Sequence, residues 1–139
     1  MTLLGRIHPL VIHFPIALVL VAALAELIAT GTGRLYWRTV AVVNVRAGAV
    51  FGVIAAIAGW LLPGVLGLDS TALLEWHRWL GTLAALCMVA AALGSAGADH
   101  RSPMEFRLYR LTLFSAAALV AVTGHLGGLL VWGPDLLRP

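Results

Sequence analysis

Residues 105–132, with the sequence EFRLYRLTLFSAAALVAVTGHLGGLLVW, form an apolar segment that carries a histidine close to its end. About 20 residues of helix cross the hydrocarbon core of a bilayer, so this segment is long enough to span a membrane. His125 then lies inside the membrane, where an ionisable side chain is costly and indicates a functional site. Gly124, Gly127 and Gly128 remove side-chain bulk beside it, where a large flat group could approach the helix.

The composition of the chain is that of an integral membrane protein. Of its 139 residues, 61% are hydrophobic and 11% are charged, whereas soluble domains average about 45–50% apolar and about 25% charged residues. The basic residues are scattered arginines, so the high isoelectric point does not predict a nucleic-acid partner. With one cysteine, Cys87, the chain can form neither an intrachain disulfide nor a cysteine-based metal site.

Four apolar segments predict an all-α fold, an antiparallel bundle of four transmembrane helices in a single membrane domain covering residues 1–139. The predicted helices cover about residues 9–29, 39–62, 71–95 and 105–132. Helices are expected because a backbone in lipid must satisfy its own hydrogen bonds. The short connections favour an up-down-up-down order. The first segment is longer than the core of a typical signal peptide and is expected to be retained, although cleavage near residues 22–23 is an alternative.

Several residues predict where these helices bend, end or begin. Pro15 is expected to kink the first helix, and Pro63 is expected to end the second. One of the polar residues 69–71 can cap the third helix, and Glu75 favours its N-terminal end.

The arginines predict the orientation of the bundle. One group flanks the end at which the first helix stops and the second begins, and it contains Arg34, Arg38, Arg101, Arg107 and Arg110. The smaller group at the opposite end contains Arg6, Arg78 and Arg138. Because cytoplasmic loops carry an excess of positive charge, both termini are expected in the periplasm of a bacterial inner membrane.

The histidines gather on one side of the predicted bundle. From the helix rise, His13, His77 and His125 lie roughly 7–10 Å below the outer membrane face, on three different helices. His8 lies above them near the interface, whereas His100 is expected in a solvated loop. Three imidazoles at one depth favour a shared site over separate packing roles.

A b-type haem fits this set of residues best. A bis-histidine haem needs two imidazoles, small residues beside the porphyrin and cations near its propionates. Gly124, Gly128 and Arg78 meet the last two needs. The four histidines allow one or two haems, and a single haem is expected on His77 with His125 or His13.

Two alternatives remain open. Copper or zinc also binds imidazole, so His8, His13, His77 and His125 are equally the candidate metal ligands. In the other alternative, the chain is a structural subunit without a cofactor, and its histidines form hydrogen bonds between helices.

Two further patterns concern the rest of the bundle. Glu26 and Arg46 lie at similar depths in the inner half and are predicted to form an ion pair. The residues Ala58-Gly59-Trp60-Leu61 resemble Thr123-Gly124-His125-Leu126, which predicts two helical hairpins in tandem, with Trp60 equivalent to His125.

Three motifs carry a family resemblance. They are HPLVIHFPIAL at residues 8–18, HRWLG at residues 77–81 and GHLGGLLVWG at residues 124–133. In these residues the chain resembles DUF2231, a family of small bacterial four-helix membrane proteins of unknown function. The resemblance implies that His8, His13, His77 and His125 form the functional set. Because some members of that family are fused to cytochrome c-type domains, it also implies a redox setting.

These observations together predict a membrane-embedded, b-type cytochrome-like electron-transfer subunit. Histidines on one side only favour electron exchange at the periplasmic face, with a c-type cytochrome or a larger redox complex. The small residues on all four helices also suit a homo-oligomer. No nucleophile–base arrangement or phosphate-binding loop occurs in the sequence, so an electron-transfer or structural subunit is favoured over an enzyme.

Overall fold

The computed structural model describes residues 2–67, 69–96 and 102–133, and this part of the chain is helical without a strand. Its helices are α1 (Thr2–Arg6), α2 (His8–Val11), α3 (His13–Thr32), α4 (Leu35–Leu66), α5 (Ala72–Gly94) and α6 (Pro103–Trp132). Four apolar spans are long enough to cross a membrane: His8–Thr32, Leu35–Leu66, Ala72–Gly94 and Pro103–Trp132. The predicted all-α, four-helix transmembrane fold is therefore confirmed.

The helices begin and end where local chemistry satisfies their terminal backbone groups. The Thr71 hydroxyl accepts a hydrogen bond from the Leu74 N–H at 3.2 Å and caps α5. Ser102 and Glu105 form a reciprocal capping box at the start of α6. At the other end of a helix, Gly67 takes a positive φ of 64° and closes α4 with a left-handed turn.

The two prolines act differently from one another. Pro63 lies inside α4, which continues to Leu66, so the prediction that it ends the helix was wrong. Proline removes one hydrogen bond, and the helix continues for another turn until Gly67. Near Pro15 the first span is interrupted at Ile12, in agreement with the kink that the sequence predicts there. Pro15 has no N–H with which to bind the Val11 carbonyl.

The four spans close into a ring with a core of small and medium side chains. α3 packs on α4, α4 on α5 and α5 on α6, and α3 also contacts α6. The core cluster contains Val19, Ala22, Val45, Ala49, Ala84, Met88, Ala91, Tyr109, Leu113, Ala116 and Val120. Such small residues allow helices to approach closely in a membrane, where packing rather than the hydrophobic effect holds them together.

The buried positions show that the bundle is a tandem repeat. In α3 they include Pro15, Val19, Ala22 and Glu26, and 69 positions later α5 and its cap bury Ala84, Met88, Ala91 and Ser95. In α4 they include Ala41, Val45, Gly48 and Gly52, and 68 positions later α6 buries Tyr109, Leu113, Ala116 and Val120. Residues 8–66 are called the first hairpin and residues 72–132 the second hairpin. In this repeat α3 corresponds to α5 and α4 corresponds to α6, so the α3–α6 contact corresponds to the α5–α4 contact. The two hairpins are therefore related by an approximate two-fold axis.

Candidate functional site

The centre of the candidate site is a pair of histidines, one from each hairpin. His8 lies in α2 and His77 in α5, and the two are equivalent positions of the repeat, 69 residues apart. Both side chains are half-buried, their ring centroids are 6.3 Å apart and their ring planes are almost perpendicular, at 88°. The approximate two-fold relation thus brings two imidazoles together at the end of the bundle where the two hairpins begin.

Each imidazole is anchored by a backbone carbonyl of the second helix in its own hairpin. His8 Nδ1 lies 2.9 Å from the Ala55 carbonyl oxygen, and His77 Nδ1 lies 3.0 Å from the Thr123 carbonyl oxygen. A carbonyl oxygen can only accept, so Nδ1 carries the proton and donates, and in the neutral ring Nε2 keeps its lone pair. Among the described residues, Nε2 of neither ring has a hydrogen-bond partner.

A glycine lies against each ring, four residues after the carbonyl that holds it. A Cβ on Gly59 would lie 2.9 Å from His8 Cε1, and a Cβ on Gly127 would lie 3.1 Å from His77 Cε1. The 2.9 Å contact is closer than real Cβ atoms show and the 3.1 Å contact is tighter than most, so each ring would have to shift to admit a side chain. By contrast, a Cβ on Gly124 would meet nothing within 4 Å.

His13 and His125 do not join this pair. Both are exposed on the outside of the bundle. His13 lies on the face of α3 opposite to buried Pro15 and Val19, and His125 is turned about 200° around α6 from Thr123, since each residue advances a helix by about 100°. The structure therefore brings together His8 and His77 of the predicted set and leaves His13 and His125 facing outward.

The other predicted residues lie around the pair in different ways. The Arg78 guanidinium stacks 3.7 Å above the Trp60 ring and contacts Glu75 Oε1 at 3.2 Å. Among the residues that the structure describes, neither the buried Arg78 Nε nor the buried Thr123 hydroxyl has a hydrogen-bond partner. Gly128 is partly buried on α6, and His100 lies outside the described residues.

The described residues contain no group of three or more histidine, cysteine, aspartate or glutamate side chains placed to hold a metal ion. The donor set at the centre of the site is thus the two imidazoles.

The inner polar residues pair differently from the prediction. Glu26 is fully buried and lies 3.7 Å from Arg38 Nε and 3.9 Å from Arg110 Nε. Arg46 instead donates to the side chain and the carbonyl of Ser95, at 2.8 and 3.1 Å. The predicted Glu26–Arg46 pair was therefore wrong. Arg46 thus places a cation at the C-terminal end of α5 and satisfies the Ser95 carbonyl.

The register of the repeat also differs from the prediction, although the tandem hairpins are present. The structure makes Gly59 equivalent to Gly127 and His8 equivalent to His77. Trp60 therefore corresponds to Gly128 and not to His125. The recurring Gly-x-Leu-Leu at residues 59–62 and 127–130 is the sequence signal that gives this register.

A family model described as "Predicted membrane protein (DUF2231)" matches residues 6–136, which includes both anchored histidines and both glycines. No curated protein and no solved structure gives a significant match to the chain.

Proposed function

The chain belongs to the DUF2231 family of predicted membrane proteins, and we propose that it is an electron-transfer subunit in which His8 and His77 hold a b-type haem. The observation that carries this proposal is the pair of anchored imidazoles, 6.3 Å apart. With metal–nitrogen bonds of about 2.0 Å, two imidazoles on opposite sides of one metal ion have ring centroids roughly 6 Å apart. The observed spacing supports ligation of one metal centre by both rings.

The donor set favours haem over a bare metal ion. Haem iron takes two axial ligands from the protein, because the porphyrin supplies the other four. A zinc or copper site needs three or four protein ligands, whereas the described residues offer two imidazoles at this place. Copper or zinc thus remains the alternative for which a further ligand has to be found.

The surrounding residues have roles that suit bound haem. The Ala55 and Thr123 carbonyls fix the tautomer and the orientation of the rings, as hydrogen-bond partners of metal-ligating histidines commonly do. The buried Arg78 Nε is a cationic donor one residue after His77 and could bind a carboxylate. When bound, haem supplies reversible one-electron chemistry, with a potential that depends on its ligands and its burial.

The position of the pair determines which face would exchange electrons. We place it on the periplasmic side of a bacterial inner membrane, with both termini on that side, from the arginine distribution. The partner would then be a c-type cytochrome or a larger redox complex. A second haem on the outward-facing His13 and His125 would require another chain, which is how a homo-oligomer would contribute.

A specific observation also favours a structural subunit without cofactor. Both histidines already form hydrogen bonds between helices, and these bonds tie α2 to α4 and α5 to α6. Interhelical hydrogen bonds of this kind stabilise membrane bundles.

An absorption spectrum tests the proposal. Protein purified in detergent from haem-supplied cells should show Soret and α-band changes between its reduced and oxidised forms. His8→Ala and His77→Ala should abolish the six-coordinate spectrum, whereas the matched variants His13→Ala and His125→Ala should retain it. A spectrum without haem bands, or one that survives in both His8→Ala and His77→Ala, would contradict the proposal. Metal analysis of the same samples then separates copper or zinc from the cofactor-free subunit.

A further inference from the structure

We propose that Gly59 and Gly127 are positioning residues that uncover the two carbonyls holding the imidazoles and thereby set the orientation of both rings. This inference deepens the proposed function and rests on it only for its meaning in haem binding. The contacts of Gly59 and Gly127 with the imidazoles do not depend on a bound haem.

The geometry of an α-helix limits how an outside donor can reach a backbone carbonyl. The carbonyl of residue i already accepts the N–H of residue i+4, and the second lone pair of that oxygen points outward. A side chain in a helix covers the turn that precedes it, so the side chain of residue i+4 lies over this region. An outside donor reaches the second lone pair easily only where residue i+4 has no side chain.

The structure has this arrangement twice. His8 donates to the Ala55 carbonyl, and Gly59 stands four residues later in α4. His77 donates to the Thr123 carbonyl, and Gly127 stands four residues later in α6. Ala55 and Thr123 are equivalent positions of the repeat, so the two hydrogen bonds are equivalent as well.

The direction of the close contacts supports the same conclusion. The atoms that a Cβ on Gly59 would meet are His8 Cε1 and Nδ1, at 2.9 and 3.1 Å. For Gly127 they are His77 Cε1 and Nδ1, at 3.1 and 3.5 Å. These atoms form the edge of the ring that donates to the carbonyl. A methyl group there would push this edge away and break the Nδ1–H hydrogen bond, instead of merely crowding the tip of the ring.

Loss of that bond would also free the rings to rotate and to change tautomer. Each Nε2 then would no longer be held as a lone-pair donor, and the nearly perpendicular arrangement of the rings, at 88°, would be lost. Gly59 and Gly127 therefore act on the metal centre through His8 and His77.

The experiment compares alanine at four glycines in the full chain. Gly59→Ala and Gly127→Ala are the test variants. Gly64→Ala and Gly124→Ala are their matched controls on the same two helices, because a Cβ at either position would meet nothing within 4 Å. Alanine raises helix propensity at all four sites, so this effect cancels in the comparison.

The first measurement needs no cofactor. In protein with ¹⁵N-labelled histidine, the Nδ1–H resonance of His8 should disappear in Gly59→Ala and that of His77 in Gly127→Ala. Both should persist in the two controls. If both resonances persist in both test variants, the inference is wrong, whether or not the protein binds haem. If the wild-type protein binds no haem and the two test variants still lose their resonances selectively, the proposed function is contradicted and this inference is supported.

A second measurement guards against variants that fold poorly. Gly59→Ala should lower the thermal unfolding midpoint by several degrees, and His8→Ala in the same chain should remove this loss, because the ring that the methyl group meets is gone. A Gly59→Ala defect of equal size in the His8→Ala background would overturn the inference. In haem-loaded protein, the low-spin electron paramagnetic resonance signal should shift in Gly59→Ala and Gly127→Ala and stay unchanged in Gly64→Ala.

Discussion

The two hairpins hold a histidine in the same way but differ in side chains that lie beside it. Each hairpin uses a carbonyl and a glycine one turn apart on its second helix. The first hairpin adds Trp60, over which Arg78 stacks, whereas the equivalent positions are Gly128 and Pro9. The shared features are those that fix the imidazoles, so their recurrence separates the requirements of the site from those of the surrounding bundle.

The inner half shows the opposite relation. Glu26 of the first hairpin is equivalent to Ser95 of the second. Glu26 lies within ion-pair distance of Arg38 and Arg110, whereas Ser95 accepts hydrogen bonds from Arg46. One position is a buried carboxylate held by ion pairs, and the other is a neutral hydroxyl at the end of α5. The hairpins thus resemble one another in their histidines and differ in their buried charge.

The largest expected effect comes from breaking the equivalence of the histidines. His8→Ala and His77→Ala should each lower haem retention by more than about 100-fold, because loss of even an outer hydrogen-bond partner costs about 10–100-fold at metal sites. The remaining spectra of the two variants should match each other, since His8 and His77 are equivalent positions of the repeat. Titration of haem into each purified variant measures this, and unequal losses would show that one histidine is not an axial ligand.

The next largest effect concerns the unequal pair in the inner half. Glu26→Ala should lower the free energy of unfolding by about 3 kcal/mol, because it leaves arginines without their buried partner. Ser95→Ala should cost about 1.5 kcal/mol, the lower end for a hydrogen bond to a charged group, because the Ser95 carbonyl still accepts from Arg46. Unfolding titrations in mixed detergent give both values, and equal losses would remove the distinction between the two hairpins.

A smaller effect is expected from the cation–π contact that only one side of the repeat has. A double-mutant cycle of Arg78→Ala and Trp60→Leu should give a coupling of about 1 kcal/mol, the usual size for a partly desolvated pair. The Trp60 indole also donates to Thr82, so the cycle rather than either single variant isolates the ring contact. Strictly additive losses would mean that the stacking contributes nothing to stability.

The smallest effect concerns helix caps. The helices of the second hairpin have side-chain caps at Thr71 and Ser102, whereas α3 and α4 begin at Ile12 and Arg34 without one. Ser102→Ala should therefore lower the unfolding free energy by about 1 kcal/mol. Arg34→Ser should raise it by a few tenths of a kcal/mol by supplying the missing cap. An unchanged free energy of unfolding in Ser102→Ala would show that the cap at the start of α6 does not contribute to stability.

The sequence predicted the fold well because length and hydropathy decide it. A segment of about 20 apolar residues has few alternatives in a bilayer. The end of α4 was harder to predict from the sequence. A proline does not always end a helix, and Pro63 is buried inside α4. Depth along each helix was only partly readable from the sequence, which put His8 above His77, whereas the two ring centroids lie 6.3 Å apart.

Direction around each helix was the missing information for the site. His125 has a suitable depth and the wrong face, whereas Thr123 and Gly127 on the same helix meet His77. The buried positions of α4 and α6 recur after 68 residues, and this spacing shows which face of each helix points inward. The similar pairs Gly59-Trp60 and Gly124-His125 instead suggest an alignment of the two helices that is shifted by about one turn. Arginine partners were harder still, because a long side chain reaches across more than one turn.

The location of one imidazole in each hairpin has a consequence for assembly. A group held by both His8 and His77 is a cross-link between the two halves of the chain. Each half presents its ligand to the other at a high effective concentration, so the second bond forms within the molecule. By linkage, whatever binds there stabilises the docked hairpins, and whatever loosens their packing weakens the binding by the same free energy.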